Sequence, residues 1–168
     1  MSKQCSYLDV VVNTEWVADH QEDQTLVIAE VDQDPQATYA RGHIPGAIGW
    51  ELHIHFEEQI RRDIPGPIQL ESLLERAGIH NNSTVVLYGD GNNRSATWAF
   101  WILKYYGHED VRIMNGGRQK WLAEKRPLST NVPKPTSTSY KTSDPNPLIR
   151  ATKEYLLANL NNRAIRLL

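Results

Sequence analysis

The stretch "TVVLYGDGNNRSATWAFWILKYYGHEDVRIMNGG", Thr84 to Gly117, decides the fold. Its opening run, Thr84 to Tyr88, is apolar, β-branched and of strand length. "VRIM", Val111 to Met114, is a second such run. Between them, Arg94 to Tyr106 carries apolar residues at helical spacing, with Trp98, Trp101, Ile102 and Tyr105 on one stripe. Ala99, Phe100 and Leu103 fill much of the remainder, so a helix buried on more than one side is expected. Runs this uniformly apolar suit strands covered on both faces, as in a parallel sheet.

Working outward, "LVIAEV", Leu26 to Val31, is a third strand candidate. Asn13 or Thr14 can cap a short helix through about His20, because each offers an oxygen to the first free backbone N–H groups. Leu70, Leu73, Leu74 and Ala77 follow the i, i+3, i+4, i+7 rule, and Gly78 is placed to end that helix in a left-handed conformation. After "NGG", Asn115 to Gly117, a short helix with Trp121 and Leu122 is expected. Strands alternating with helices imply an α/β domain with a central parallel sheet flanked by helices.

From Pro127 to Pro147 the composition shifts to Pro, Ser, Thr and Lys without an apolar period, which reads as an extended linker over the surface. The tail then repeats the pattern of the beginning. "VVNTEWVADH" followed by "LVIAEV" matches "LIRATKEYLLANL" followed by "AIRLL", each a Thr-capped helix leading into a strand start. The expected organisation is a complete module over 1–126, a linker over 127–147, and the opening of a second module over 148–168. That opening should be loosely held or sticky, having too little structure to bury its apolar face.

The bulk composition excludes several classes. The chain has 168 residues, 18 Lys and Arg against 20 Asp and Glu, and a net charge of -2. A single domain of this size buries roughly two-thirds of its unfolded surface. No excess of positive charge exists to neutralise phosphates, and no apolar run has membrane-spanning length, so neither nucleic acid nor a membrane is expected as a partner. The N-terminal apolar patch is short and broken by Asp9, unlike a signal peptide. The one cysteine, Cys5, excludes an internal disulfide and suits a reducing cytoplasm; near the terminus it is a poor nucleophile.

A turn, Gly89 to Asn93, joins the Thr84–Tyr88 run to the long helix. Backbone N–H groups at such a turn converge, and the helix adds its positive end, so the loop is preformed for an anion. Gly89 and Gly91 permit tight curvature, Asn92 and Asn93 tolerate left-handed conformations, and Arg94 supplies a fixed charge. A cysteine at the first position would be a stabilised thiolate, but Gly89 stands there.

The chain resembles the rhodanese superfamily, specifically the N-terminal half of tandem-domain thiosulfate or 3-mercaptopyruvate sulfurtransferases. "YARGHIPGAIGW" from Tyr39 to Trp50 is similar to the family's first signature and "NGGRQKW" from Asn115 to Trp121 to its second. "IRRDI", "VVLYG" and "YYGHEDVRIMNGG" lie in matching order. The resemblance implies the rhodanese-like three-layer α/β fold. It also implies transfer of sulfane sulfur from thiosulfate or 3-mercaptopyruvate to a thiophilic acceptor such as cyanide, carried as a persulfide on a loop of the type Cys-Arg-x-Gly-x-Arg-Ser. Arg94 and Ser95 match the end of that loop, placing Gly89 at the cysteine; a one-residue shift places Asp90 there. Neither bears sulfur. The resemblance therefore implies a cysteine-less domain that is inactive alone, with no cofactor, whose partner is the missing C-terminal rhodanese domain.

No residue is assigned as catalytic. Gly89, Asp90, Asn92, Asn93, Arg94 and Ser95 form an active-site-like loop, with a small sulfur-containing anion as its candidate ligand. The plainer reading is that Asp90 and Asn92 cap the helix while Arg94 pairs locally. A non-catalytic protein-interaction module is the second reading, and a phosphatase relative, which needs the same missing cysteine, the third. His43 in "GHIPGA" is read as holding a sharp turn. His53 and His55 have a spacing that fits one face of a strand, but no third ligand accompanies them, so no metal site is expected. Trp98, Trp101, Tyr105 and Tyr106 read as core or domain-contact residues. "GDGNNRS" matches neither a Walker loop nor a dinucleotide fingerprint.

Overall fold

The computed structural model describes residues 10–162 and 164–166. Cys5 lies outside them. Strands β1 (Val11–Val12), β2 (Leu26–Asp32), β3 (Ile48–Glu51), β4 (Thr84–Tyr88) and β5 (Val111–Met114) form one sheet in the order β1-β5-β4-β2-β3. All neighbours are parallel, with Glu30 opposite Tyr88 and Ala29 opposite both Leu87 and Ile48. The α-helices of the described residues are α1 (Thr14–His20), α2 (Leu52–His55), α3 (Pro67–Arg76), α4 (Arg94–Tyr105), α5 (Gly117–Ala123) and α6 (Lys153–Asn159).

The period-2 alternation of strand side chains divides the core in two. Ala29, Val31, Val85, Leu87 and Val111 point to a large apolar cluster with Leu70 and Leu74 of α3 and Ala96, Ala99, Ile102 and Leu103 of α4. Ile28, Val86, Tyr88 and Met114 point the other way, to a smaller cluster with Val17 of α1, Ile44, Ala47 and Trp121 of α5. Helices on both faces of a parallel sheet make the expected three layers.

The three central strands and the helices α3, α4 and α5 fall where the apolar patterns place them, and Gly78 follows α3 with φ +73°. Asn13, not Thr14, caps α1: its Oδ1 accepts from the backbone N–H of Trp16 at 2.6 Å, while Thr14 Oγ1 donates to Glu124. The burial of α4 differs from expectation. Its core face is Ala96, Ala99, Ile102 and Leu103, whereas Trp98 is 39% exposed and Trp101 and Tyr105 are half-buried. Small residues let the helix sit close to the sheet, and the bulky rings are displaced outward. His53 and His55 sit on a helical turn rather than a strand. Residues two apart on a helix point apart, so His53 Nδ1 meets Glu57 at 3.0 Å while His55 Nδ1 receives the backbone N–H of Glu51 at 2.9 Å.

The segment 127–146 is extended, yet it is stitched down. His43 and Ser129 exchange backbone hydrogen bonds, and Thr138 Oγ1 donates to the Ile79 carbonyl. Tyr140 is buried, with its hydroxyl 2.9 Å from His108 Nδ1. Thr142 donates through N–H and Oγ1 to Glu71, and these bonds pull the Glu71 carboxyl down to about 2. Beyond it, Thr152 caps α6 by accepting from Tyr155 N–H, but α6 buries no residue and Leu157 and Leu160 are each 58% exposed. The helix expected after Thr152 thus forms, and the described residues 164–166 are not in a strand.

Candidate functional site

The C-terminal ends of β2 and β4 open onto a cleft of about 390 Å³, beneath the loop from Gly89 to Ser95. This is where parallel α/β sheets place their ligands. The loop is tightly made: Gly91, Asn92 and Asn93 are left-handed in succession, at φ +54°, +58° and +63°. Short polar side chains and glycine tolerate this conformation at the least cost.

Asn93 is its keystone. The buried side chain accepts from Gly89 N–H at 3.0 Å and donates to the Met114 carbonyl at 2.8 Å, tying the ends of β4 and β5. The next amide, that of Asp90, donates to Asp32 Oδ1 at 2.8 Å. Both amides that begin the loop are therefore occupied by side-chain oxygens of the chain itself. The cap reading is corrected: neither Asp90 nor Asn92 caps α4, and among the described residues Arg94 forms no ion pair. The residue that organises the turn is Asn93.

Two glycines explain why side chains are excluded. A Cβ on Gly89 would lie 2.4 Å from the Val31 carbonyl oxygen, so this position cannot carry any side chain without a shift of β2. A Cβ on Gly117 would lie 2.6 Å from the Gly89 carbonyl and 2.4 Å from Asn93 Oδ1. The "NGG" turn thus packs directly on the loop, and the Arg118 N–H donates to the Gly89 carbonyl at 3.0 Å. Of the two candidate nucleophile positions, Asp90 is the one whose side chain the backbone admits.

Under the loop lies a charged group that inspection of the sequence did not single out. Arg118 Nη1 donates to both oxygens of Glu30, at 2.9 and 3.1 Å, and both side chains are buried. Burial outweighs Arg118 and pushes the Glu30 carboxyl up to about 8, with neighbouring Asp32 adding to the rise. Tyr88, opposite Glu30, is raised well above its ordinary value, chiefly by burial. The available signal was Glu30 standing inside "LVIAEV", an acidic residue in a run otherwise apolar.

His43 is fully buried, stacked on Tyr39 at 3.8 Å, with its ring nitrogens 2.9 and 3.2 Å from the carbonyls of Tyr39 and Asn131. It holds a turn, as its motif suggests. Among the described residues no group of His, Cys, Asp or Glu side chains is arranged to hold a metal ion. No helix there is long and apolar enough to cross a membrane.

The model of the rhodanese-like domain matches residues 13–124, from α1 through α5. This chain belongs to the rhodanese-like domain family. The rhodanese-like chain is 45% identical over 152 residues to the sulfur carrier protein TtuD of Thermus thermophilus, covering 90% of this chain and 53% of that protein. It is 39% identical over 155 residues to a putative thiosulfate sulfurtransferase of Saccharopolyspora erythraea, covering 92% and 55%. The chain spans about half the length of the curated relatives it matches. SseA of Escherichia coli, a 3-mercaptopyruvate sulfurtransferase, shares the fold with a TM-score of 0.78 at 21% identity, over 90% of this chain and 62% of that one. The anaerobic ergothioneine biosynthesis enzyme of Chlorobium limicola superposes with a TM-score of 0.73 at 28% identity, over 87% and 39%.

Proposed function

We propose that this chain is the non-catalytic, N-terminal-type half of a sulfurtransferase, acting in the transfer of sulfane sulfur from thiosulfate or 3-mercaptopyruvate to a thiophilic acceptor such as cyanide. The observation that carries the reading is the loop itself. Its frame is kept by Asn93 and Gly117, while Gly89 has no room for a thiol and the amides that would cradle a persulfide are already bonded. On this reading residues 1–126 are the domain, 127–147 the linker and 148–168 the start of a cysteine-bearing domain. The half described here would wall one side of a cleft and keep water from the sulfur carried by its partner, a desolvating and positioning role in a reducing cytoplasm.

A second reading, a protein-interaction module, draws on α4, whose outward Trp98, Trp101 and Tyr105 make an aromatic face suited to a protein contact. Assays with thiosulfate and cyanide separate the two. The chain alone is expected to be inactive. Activity restored by adding a cysteine-bearing rhodanese domain supports the first reading, and binding without activity supports the second. Turnover by the chain alone that survives Cys5→Ser would overturn both.

A further inference from the structure

We infer that a second cavity, between the edge strand β3, the C-terminal half of α3 and the extended segment 127–146, binds a small organic carboxylate with a flat apolar body. The cavity has a volume of about 330 Å³ and shares no lining residue with the cleft under the emptied loop. Ile48 and Trp50 of β3 and Leu73 and Ala77 of α3 build one apolar wall. Val132, Pro133 and Pro135 of the extended segment add another. Apolar walls with a few polar groups between them are the usual make-up of a small-molecule site.

The local sequence explains this construction. Leu73, Arg76 and Ala77 stand at i, i+3 and i+4, so α3 presents them together on one face. On β3, Gly49 leaves its side-chain space to the Tyr39 ring, which would lie 2.7 Å from a Cβ placed there. The Tyr39 hydroxyl donates to the Ala47 carbonyl at 2.8 Å, so this residue offers the cavity its ring rather than a free donor. Trp50 packs edge-on against Phe56, with ring centroids 5.3 Å apart, which fixes the plane of its indole.

Trp50 also carries an unmet donor. It is 4% exposed and its indole N–H has no acceptor among the described residues, yet that nitrogen is not among the side-chain atoms sealed from solvent. The access left to so buried a side chain runs through the cavity it lines. A buried N–H without an acceptor is costly, and a ligand oxygen would supply one. Arg76 reaches the cavity from an exposed position, forms no ion pair among the described residues, and meets no acidic residue in the lining. His55, also in the lining, uses Nδ1 on the Glu51 backbone and has no partner at Nε2 among the described residues. Donors without an acid beside them select an anion, and the apolar walls select the rest of the molecule. A bare oxyanion would leave those walls uncovered, and a neutral ring would gain nothing from Arg76.

The inference holds whether or not the chain takes part in sulfur transfer. Its test is an NMR titration of the full chain with sodium phenylacetate, following the backbone amides and the Trp50 indole N–H. Sodium acetate and phenylacetamide form separate arms, at ionic strength matched with sodium chloride. Phenylacetate is expected to give saturable shifts at residues 48–50 and 73–77 and to move the Trp50 indole resonance. Acetate, which lacks the ring, and phenylacetamide, which lacks the charge, are each expected to bind at least about tenfold more weakly. Arg76→Gln, at an exposed position that leaves the core intact, is expected to weaken phenylacetate by about tenfold. The inference is overturned by the absence of a saturable shift, by shifts confined to other residues, or by an unmoved Trp50 indole. Equal binding of phenylacetamide, or unchanged affinity in Arg76→Gln, overturns it as well.

Discussion

The face of the sheet under α3 and α4 and the face under α1 and α5 come from the same strands, but they are filled differently. The first is apolar throughout its centre, from Val31 and Leu87 to Ile102 and Leu103. The second trades part of its packing for Glu30, Tyr88 and Arg118, placed directly beneath the loop. The first face anchors the loop from below by geometry, through α4. The second surrounds it with charge. Stability is concentrated on one side of the sheet and chemistry on the other.

That contrast can be broken or sharpened experimentally. The largest effect should come from the apolar face: Leu103→Ala, at a fully buried site, is expected to cost about 2 to 5 kcal/mol in denaturant unfolding, by lost burial and a residual cavity. Gly89→Cys should be next, at about 1 to 3 kcal/mol, because the new Cβ meets the Val31 carbonyl. It should also fail to hold persulfide when treated with thiosulfate and analysed by mass spectrometry.

On the charged face the test is pH. Glu30 binds its proton more tightly in the folded chain than at its ordinary value of 4.5, so this contribution is complete below that value. It is lost as pH rises through about 8. The melting temperature should therefore fall between about pH 5 and about pH 8, and Glu30→Gln should flatten the slope. A slope of opposite sign would mean that Arg118 dominates burial. Asp90→Cys should have the smallest effect, within about 0.5 kcal/mol of the parent, while giving a thiol reactive toward alkylating reagents. If Gly89→Cys proved the milder of the two cysteine variants, the assignment of side-chain space in the loop would be reversed.

Much of this architecture was legible because burial writes itself into apolar periodicity. β2, β4 and β5 are covered on both faces and read as continuous runs. The edge strands did not: β1 has two residues, and β3, "IGWE", follows a turn-rich segment and includes Gly49, whose missing side chain makes way for the Tyr39 ring. The site was half legible. Turn residues marked the loop, but Asp32 and Glu30 reach it across 58 and 88 positions of sequence, to Asp90 and Arg118. No local pattern encodes such pairings. The apolar residues of α4 were legible in part: Ile102 and the following Tyr106 are buried while Trp98, Trp101 and Tyr105 turn partly outward, since periodicity reports an apolar face without saying which of two faces the sheet will take.

The strap from Pro127 to Asn146 has a consequence for limited proteolysis. Its proline, serine and threonine content is that of a segment readily cut, yet its backbone is bonded to α3, to the end of α4 and to the His43 turn, and Tyr140 is sunk in the core. Though already extended, a backbone held by these bonds cannot lift away from the domain to enter a protease's cleft. Cleavage should therefore spare this compositionally soft stretch and fall instead in the helical but unburied residues after Thr152, reversing the order that composition alone would set.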